Sequence, residues 1–382
     1  MRVLHYIPNF SMSTETFIYD QVTALEKEGI ESAVVTAKRV NEQSRPFELV
    51  YLCPIKMVIN ERFTQAFALR LQLLPYMIDY KYWQKVIDEF KPDVVHCHTG
   101  NGVKTWMHVS EKLNLKIPTL ASLHGSDVNS EPLIRAKYRA VLKKAGSKDF
   151  IKWTVPSEFL KRKTVENLDV PSEKITVVHN SFNSMFLSTK QEKSFDTLNI
   201  VSVGRLINCK GHEFLIRALA VLHKDYPNAT LTLIGGGELK EHLQGLTDQL
   251  ALTKHVNFID MVSHQALPEL LSSYNIYAQP SIRDDVTFQE ESFGVAALEA
   301  MASGLATVVS ECGGLTELAS LVDTSAVKVV PQRDPESLAG AIAELYKNEA
   351  SLTLAQRHKL AELFSIDMNT ASIKRLYSEL TQ

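Results

Sequence analysis

Glu291-Ser-Phe-Gly-Val-Ala-Ala-Leu-Glu299 sets two carboxylates eight positions apart at the mouth of one expected helix. Gly294 reads as the break before it, and Val295 to Ser303 is Ala-rich and helix-prone, with Gly304 as a left-handed stop. Glu291 then lies on the entering loop and Glu299 on the second turn, with the free N–H groups of the first turn near both. Carboxylates accept hydrogen bonds from the vicinal hydroxyls of a ribose or hexose, and a helix N-terminus complements phosphate charge, so the arrangement suits a nucleotide sugar. Two isolated glutamates at such a place more often only answer the helix macrodipole; the surrounding sequence decides.

Outward from this stretch, strands alternate with helices. Leu198 to Val203, Thr230 to Ile234, Val256 to Phe258, Ile276 to Gln279, Ala306 to Val309 and Val327 to Val330 are short apolar strands with helices between them. Toward the N-terminus, Arg2 to Ile7 and Ser32 to Thr36 flank an amphipathic helix, Thr16 to Glu28, that Gly29 ends. Pro92 to His98, Pro118 to His124, Trp153 to Pro156 and Ile175 to His179 continue the set. This βαβ order makes parallel sheets, and apolar runs ending in polar residues at His98 and His124 fit strands with a site beyond their carboxyl ends. The polar stretch Ser188 to Asp196 reads as a linker. The expected fold is α/β, two Rossmann-like domains with parallel sheets facing a central cleft, over residues 1–187 and 197–368. A dinucleotide-binding reading lacks its fingerprint, because Pro8 to Thr16 contains no glycine where G-x-G-x-x-G belongs. Gly235-Gly-Gly237 lacks the third spaced glycine and is taken as a tight turn lining the cleft.

Four segments, in order, carry a resemblance. They are His124-Gly-Ser-Asp127, Val203-Gly-Arg-Leu206 leading to Lys210-Gly211, Leu233-Ile-Gly-Gly-Gly-Glu238, and Glu291 to Glu317 with its E-x7-E block, following strand and Gly-Gly loop. Together they resemble the retaining GT-B glycosyltransferases of family 4 (glycosyl transferases group 1), over about residues 1 to 377. The resemblance implies an N-terminal acceptor-binding domain, a C-terminal nucleotide-sugar donor domain, and a last helix, within 369–382, that packs back on the first domain. It implies that Arg205 and Lys210 meet the donor diphosphate and that Glu291, with Phe293 and Gly294, meets the donor sugar. Glu299 would hold the nucleoside ribose, and His124, with Glu291, would serve the transferred sugar. Phe10 to Phe17 resembles the S-E-T-F variant of exopolysaccharide and O-antigen transferases, which puts Glu15 with Asp127 and His98 as acceptor-side or supporting residues. Asn180-Ser-Phe-Asn183 stands where N-G-V-D is common, and Glu290 beside Glu291 leaves open which acid meets the sugar, although the eight-residue spacing favours Glu291.

The residues also have a chemistry of their own. A diphosphate leaving group needs positive charge whose worth grows as the glycosidic bond breaks, and Arg205 and Lys210 follow a strand end with Gly204 and Gly211 beside them. The resemblance implies that these cations remove the need for the D-x-D metal site of other sugar transferases, and Asp284-Asp285 is read as a spectator, so neither a metal nor a cofactor is expected. His124 at a strand end projects an imidazole toward the cleft, whereas Asp127 suits acceptor contact or capping equally. His96 and His98 alternate on one strand with no carboxylate nearby and read as cleft edge rather than as ligands.

Composition agrees with an enzyme of two domains. The 382 residues are 45% hydrophobic, enough for two cores, and a formal charge of −3 argues against a general nucleic-acid binder. Cys53, Cys97, Cys209 and Cys312 are scattered without C-x2-C spacing, which suggests a reduced, cytoplasmic compartment. No apolar run approaches the ~20 residues that span a bilayer, and the first residues begin a strand rather than a signal peptide. Phe63 to Phe90 mixes aromatics with Arg70, Lys81 and Lys85, and Arg135 to Lys148 holds six basic residues and no acid. Ordinary packing and solvated charge account for both as well as does peripheral contact with the cytoplasmic face of an inner membrane. The expectation is a metal-independent hexosyl transfer from a UDP- or GDP-sugar to a saccharide or lipid-linked saccharide acceptor in surface polysaccharide biosynthesis. A GT-B nucleotide-sugar epimerase and a non-catalytic nucleotide-sugar-binding partner are the alternatives.

Overall fold

The computed structural model of the chain describes residues 1–12, 16–53, 77–188, 195–322 and 324–382. It divides into two compact units: Met1–Pro156, Leu160–His179 and Ile366–Gln382 form the first, and Ser157–Phe159 with Asn180–Ser365 form the second.

The first unit is built on strands β1 Arg2–Tyr6, β2 Glu31–Thr36, β3 Val50–Leu52, β4 Val94–His98, β5 Thr119–Ser122, β6 Ile151–Val155 and β7 Ile175–Val177. They form one parallel sheet in the order β3-β2-β1-β4-β5-β6-β7. All five residues of β4 are buried, as a strand covered on both faces requires. The helix Thr16–Lys27 buries Ile18, Val22 and Leu25, and Gly29 follows it at φ +83°. The last helix, Ile366–Leu380, brings Ile373, Leu376 and Tyr377 against Val3, Leu25, Val94 and Leu120 of this unit. Sequence reading missed the edge strand β3 and a two-residue pairing of Asn9–Phe10 with Lys38–Arg39, both too short to show a period.

The second unit has β8 Asn199–Val203, β9 Thr230–Ile234, β10 Val256–Ile259, β11 Ile276–Gln279, β12 Ala306–Ser310 and β13 Val327–Val330, all parallel, in the order β10-β9-β8-β11-β12-β13. Both sheets therefore reverse their order beside their first strand, between β1 and β4 and between β8 and β11. Connections leave the sheet on opposite sides of such a point, and the crevice that opens at the carboxyl ends there is where α/β sheets receive ligands.

Of the aromatic segment from Phe63 to Phe90, residues up to Tyr76 lie outside the described residues, as do Glu15 and residues 189–194 of the expected linker. The described part is the helix Tyr80–Phe90, whose Trp83, Val86, Ile87 and Phe90 are buried. Trp83 packs edge-on against Tyr6 at 5.0 Å and is not available to a lipid surface. In the basic segment, Arg135 pairs with Glu131, Lys143 with Asp169, and Lys144 with Glu111. No helix among the described residues is long and apolar enough to cross a membrane.

Candidate functional site

In the second unit, the loops leaving β8, β9, β11 and β12 meet through their backbones, and glycines make that possible. A Cβ on Gly211, which sits at φ +67°, would lie 2.0 Å from the Pro280 carbonyl oxygen at the exit of β11. A Cβ on Gly313, at φ +56°, would lie 1.9 Å from the carbonyl oxygen of Glu291, which accepts a 2.9 Å hydrogen bond from the Gly314 N–H. The Gly-Gly loop after β12 thus clamps the segment that carries Glu291. Gly235 and Gly237 do the same for Arg205: the Leu206 N–H donates to the Gly236 carbonyl, and side chains on either glycine would strike the Gly204 or Leu206 carbonyl.

This scaffold brings Lys210 Nζ within 2.5 Å of Glu291 Oε2. Gln279 Nε2 donates to the same oxygen at 2.7 Å, and its own amide oxygen accepts from Tyr277 Oη at 3.0 Å, which fixes the amide. Burial alone would push the Lys210 ammonium down, but the charge and hydrogen bond of Glu291 outweigh it and hold Lys210 above its ordinary value. The lysine is therefore a permanent cation. Arg205 is exposed and close enough to oppose that charge, so two cations share one place. Of the two adjacent acids, Glu291 faces Lys210, while Glu290 lies 3.6 Å from Arg283.

The helix Val295–Ala302 follows Gly294 at φ +99°, where a Cβ would meet Leu315 Cδ2 at 2.4 Å. Glu299, only 7% exposed, sits on its second turn and its Oε1 is 2.7 Å from His264 Nε2. His264, from the loop after β10, packs its ring at a tilt against Phe186 with centroids 5.3 Å apart, and the carbonyls of Phe186 and Leu187 accept from the buried Arg357. Arg357 also donates to the Ala302 carbonyl at the end of the same helix, so a single guanidinium ties both supports of Glu299 together. Sequence reading missed His264; its only signal was a polar residue soon after a strand's carboxyl end.

Two residues named from the sequence turn their side chains into the fold, Asp127 in the capping part that the sequence left open. The Phe293 ring is fully buried and packs on Phe364 at 5.6 Å, so its side chain is core and cannot touch a sugar; the aromatic in the motif anchors the loop instead. Asp127 spends its carboxylate on the main chain, accepting from the N–H groups of Gly100, His124 and Gly125. Burial raises its pKa against the pull of those bonds, and it serves as the clamp that shapes the loop after β5. Asp284 accepts from the Val286 and Thr287 N–H groups and from Asn208, while Asp285 pairs with Arg333.

In the first unit, the carboxyl ends of β1, β4 and β5 gather imidazoles. His5 and His96 are register partners, and His98 follows on the same face of β4. His96 and His98 stack with centroids 3.9 Å apart, and the His124 ring lies parallel to His98 at 6.5 Å and 4.8 Å from Phe17. Among the described residues, neither ring nitrogen of His124 has a hydrogen-bond partner. Burial pushes His5 down to about 3 and His124 down to about 4, and holds His96 and His98 well below the ordinary imidazole value, so the group is neutral at pH 7.

With this geometry in view, comparison with known proteins is informative. Residues 14–184 match the family described as Glycosyltransferase Family 4, and residues 186–362 match Glycosyl transferases group 1. An uncharacterized glycosyltransferase of Methanocaldococcus jannaschii is 29% identical over 271 residues, 66% of this chain and 65% of that protein. A GDP-mannose-dependent phosphatidylinositol monomannoside mannosyltransferase of Mycolicibacterium smegmatis is 30% identical over 162 residues, 42% of each chain. The chain thus spans less than two thirds of the length of these relatives. Among solved structures, sucrose-phosphate synthase of Thermosynechococcus elongatus has a TM-score of 0.78 at 18% identity, covering 100% of this chain and 99% of its own. HepE of Anabaena in complex with UDP-glucose has 0.77 at 17%, covering 99% and 100%. Two family matches that together take in nearly all of the sequence, and a fold shared along its length with these structures, place the chain in the family 4 glycosyltransferases with a GT-B α/β fold.

Proposed function

We propose that this chain transfers a hexosyl unit from a UDP- or GDP-sugar to a saccharide or lipid-linked saccharide acceptor, with retention of anomeric configuration, in the building of a surface polysaccharide. The second unit takes the donor and the first the acceptor. The observation that carries this reading is the Lys210–Glu291 ion pair at the β8/β11 switch point, with Glu299 on the next helix held by His264. A diphosphate competes with Glu291 for Lys210 and adds Arg205, and both cations gain worth as negative charge grows on the leaving phosphate. Glu291, held through Oε2 by Gln279, accepts hydrogen bonds from the hexose hydroxyls, and Glu299 accepts them from the ribose. Similar donors serve the proteins it resembles: one relative is GDP-mannose-dependent and one solved neighbour holds UDP-glucose.

In the reaction, the bond from the anomeric carbon to the phosphate oxygen breaks and the acceptor oxygen bonds to that carbon on the same face. The acceptor's proton passes to the leaving phosphate oxygen, and the protein's part is orientation and charge stabilisation. His124, neutral and without a partner at either ring nitrogen among the described residues, has a donor and an acceptor to offer the transferred sugar. No divalent ion is needed at the diphosphate, and the enzyme works at the cytoplasmic face of a membrane without spanning it. The test is a donor panel with purified protein. Release of UDP or GDP that requires an acceptor supports the reading, whereas epimer formation without acceptor, or binding without turnover, contradicts it. Addition of Mg²⁺ or Mn²⁺ to chelator-treated protein is expected to leave turnover unchanged.

A further inference from the structure

The histidines of the first unit have a property that sugar transfer does not use. His5, His96 and His98 are each fully buried, and one ligand-capable nitrogen from each lies within 4.8 Å of the others. His5 Nδ1 and His98 Nε2 are 3.2 Å apart, close to the separation of about 3.3 Å that two nitrogens take on a tetrahedral ion with bonds of 2.0–2.1 Å. In a neutral pair one of these nitrogens donates to the other. That leaves His5 Nε2 and His98 Nδ1, one of them a lone pair and the other an N–H, without a partner among the described residues. His96 is held at both nitrogens by hydroxyls, Nδ1 by Tyr377 Oη and Nε2 by Ser122 Oγ, each at 2.6 Å. Such a hydrogen bond behind the ring is what orients a metal-ligating imidazole.

We propose that His5, His96 and His98 bind one divalent transition-metal ion of the Zn²⁺ class through three imidazole nitrogens. Imidazole suits Zn²⁺, Co²⁺, Ni²⁺ and Cu²⁺, and an all-nitrogen set disfavours Mg²⁺ and Ca²⁺. His96 gives up one of its two hydroxyl partners and turns that nitrogen inward, while the other hydroxyl keeps the ring in place. Three neutral ligands leave the ion's charge unbalanced, so the fourth position takes hydroxide or another small anion. The ion joins β1 to β4 and, when Tyr377 remains the hydroxyl behind His96, to the helix Ile366–Leu380. Its role is structural, within one unit, and does not rest on the transferase reading.

The full chain, free of any affinity tag and stripped with a chelator, is titrated with Co²⁺ and then with Zn²⁺. One equivalent of Co²⁺ is expected to give the intense visible bands of a four-coordinate ion, and one equivalent of Zn²⁺ to abolish them and raise the unfolding temperature. His5→Gln and His98→Gln are each expected to weaken Co²⁺ binding at least tenfold, and the exposed His242→Gln to leave it unchanged. X-ray absorption of the Zn²⁺-loaded native chain is independent of how well the variants fold, and three imidazole nitrogens near 2.0 Å are expected. Failure to bind one equivalent, bands that survive both buried substitutions, or fewer than three imidazoles on the ion overturns the proposal.

Discussion

The two switch points of this molecule occupy the same topological place and are chemically opposite. At β1/β4 the sheet presents His5, His96 and His98, with His124 beside them, all neutral and pushed down by burial. At β8/β11 it presents Lys210 and Glu291, 20% and 14% exposed at the side chain, each holding the other's charge. The backbone dictates where a ligand can sit, through parallel strands and the reversal of their order. It does not dictate what ligand. That follows from whether the loops supply opposite charges near water or imidazoles in a dry interior, because an unpaired charge is tolerated in the first setting and excluded from the second.

The largest expected effect sharpens the charged side. On the proposed role of Glu291, Glu291→Gln keeps the shape but loses an anionic acceptor whose bonds to sugar hydroxyls would tighten in the transition state, so kcat is expected to fall on the order of a hundredfold. Normal turnover would shift the role to Glu290. The neutral side is tested by acid. Buried histidines with pKa values below the unfolded 6.5 bind fewer protons folded than unfolded, so their contribution is complete above about pH 6.5 and is lost as pH falls toward 4. In chelator-treated protein at pH 5, each such histidine costs about 2 kcal/mol of stability. Trp83, Trp106 and Trp153, the three tryptophans of the chain, all lie in the first unit, so their fluorescence follows that unit alone. Its unfolding temperature is expected to drop between pH 7 and pH 5; a constant value would show that the imidazoles are not held neutral. The smallest effect concerns His264. His264→Ala removes a hydrogen bond to Glu299 and is expected to weaken UDP or GDP binding by about 1 kcal/mol, with His264→Gln recovering part of it. Unchanged affinity in the alanine variant would make that contact incidental.

Much of this was legible in the sequence, for physical reasons. Among the described residues, twelve of the thirteen strands of the two large sheets were foreseen, because buried parallel strands are short apolar runs that periodicity and flanking turns reveal. The edge strand Val50–Leu52, three residues long with none of them buried, leaves no such trace. Lys210 and Glu291 were expected to serve one ligand, yet their direct pairing needs Pro280 and Gly211 in contact across about seventy residues of chain, which spacing does not show. Phe293 was named with the donor-sugar residues by resemblance alone; that its ring goes inward to anchor a loop clamped by glycines was not visible in the motif. His5 was not singled out at all. A lone histidine in an apolar strand becomes notable only when register sets it beside His96.

The most direct test of the charged switch point is the affinity of UDP and GDP, measured by calorimetry, for Lys210→Ala beside Glu291→Gln. Lys210→Ala removes the cation proposed to bind the diphosphate and is expected to cost ~1.5–3 kcal/mol. Glu291→Gln removes the anion that competes with the diphosphate for that cation, so affinity is expected to stay the same or improve. A loss in Glu291→Gln equal to that in Lys210→Ala, or unchanged affinity in Lys210→Ala, would contradict the assignment of Lys210 to phosphate and Glu291 to sugar.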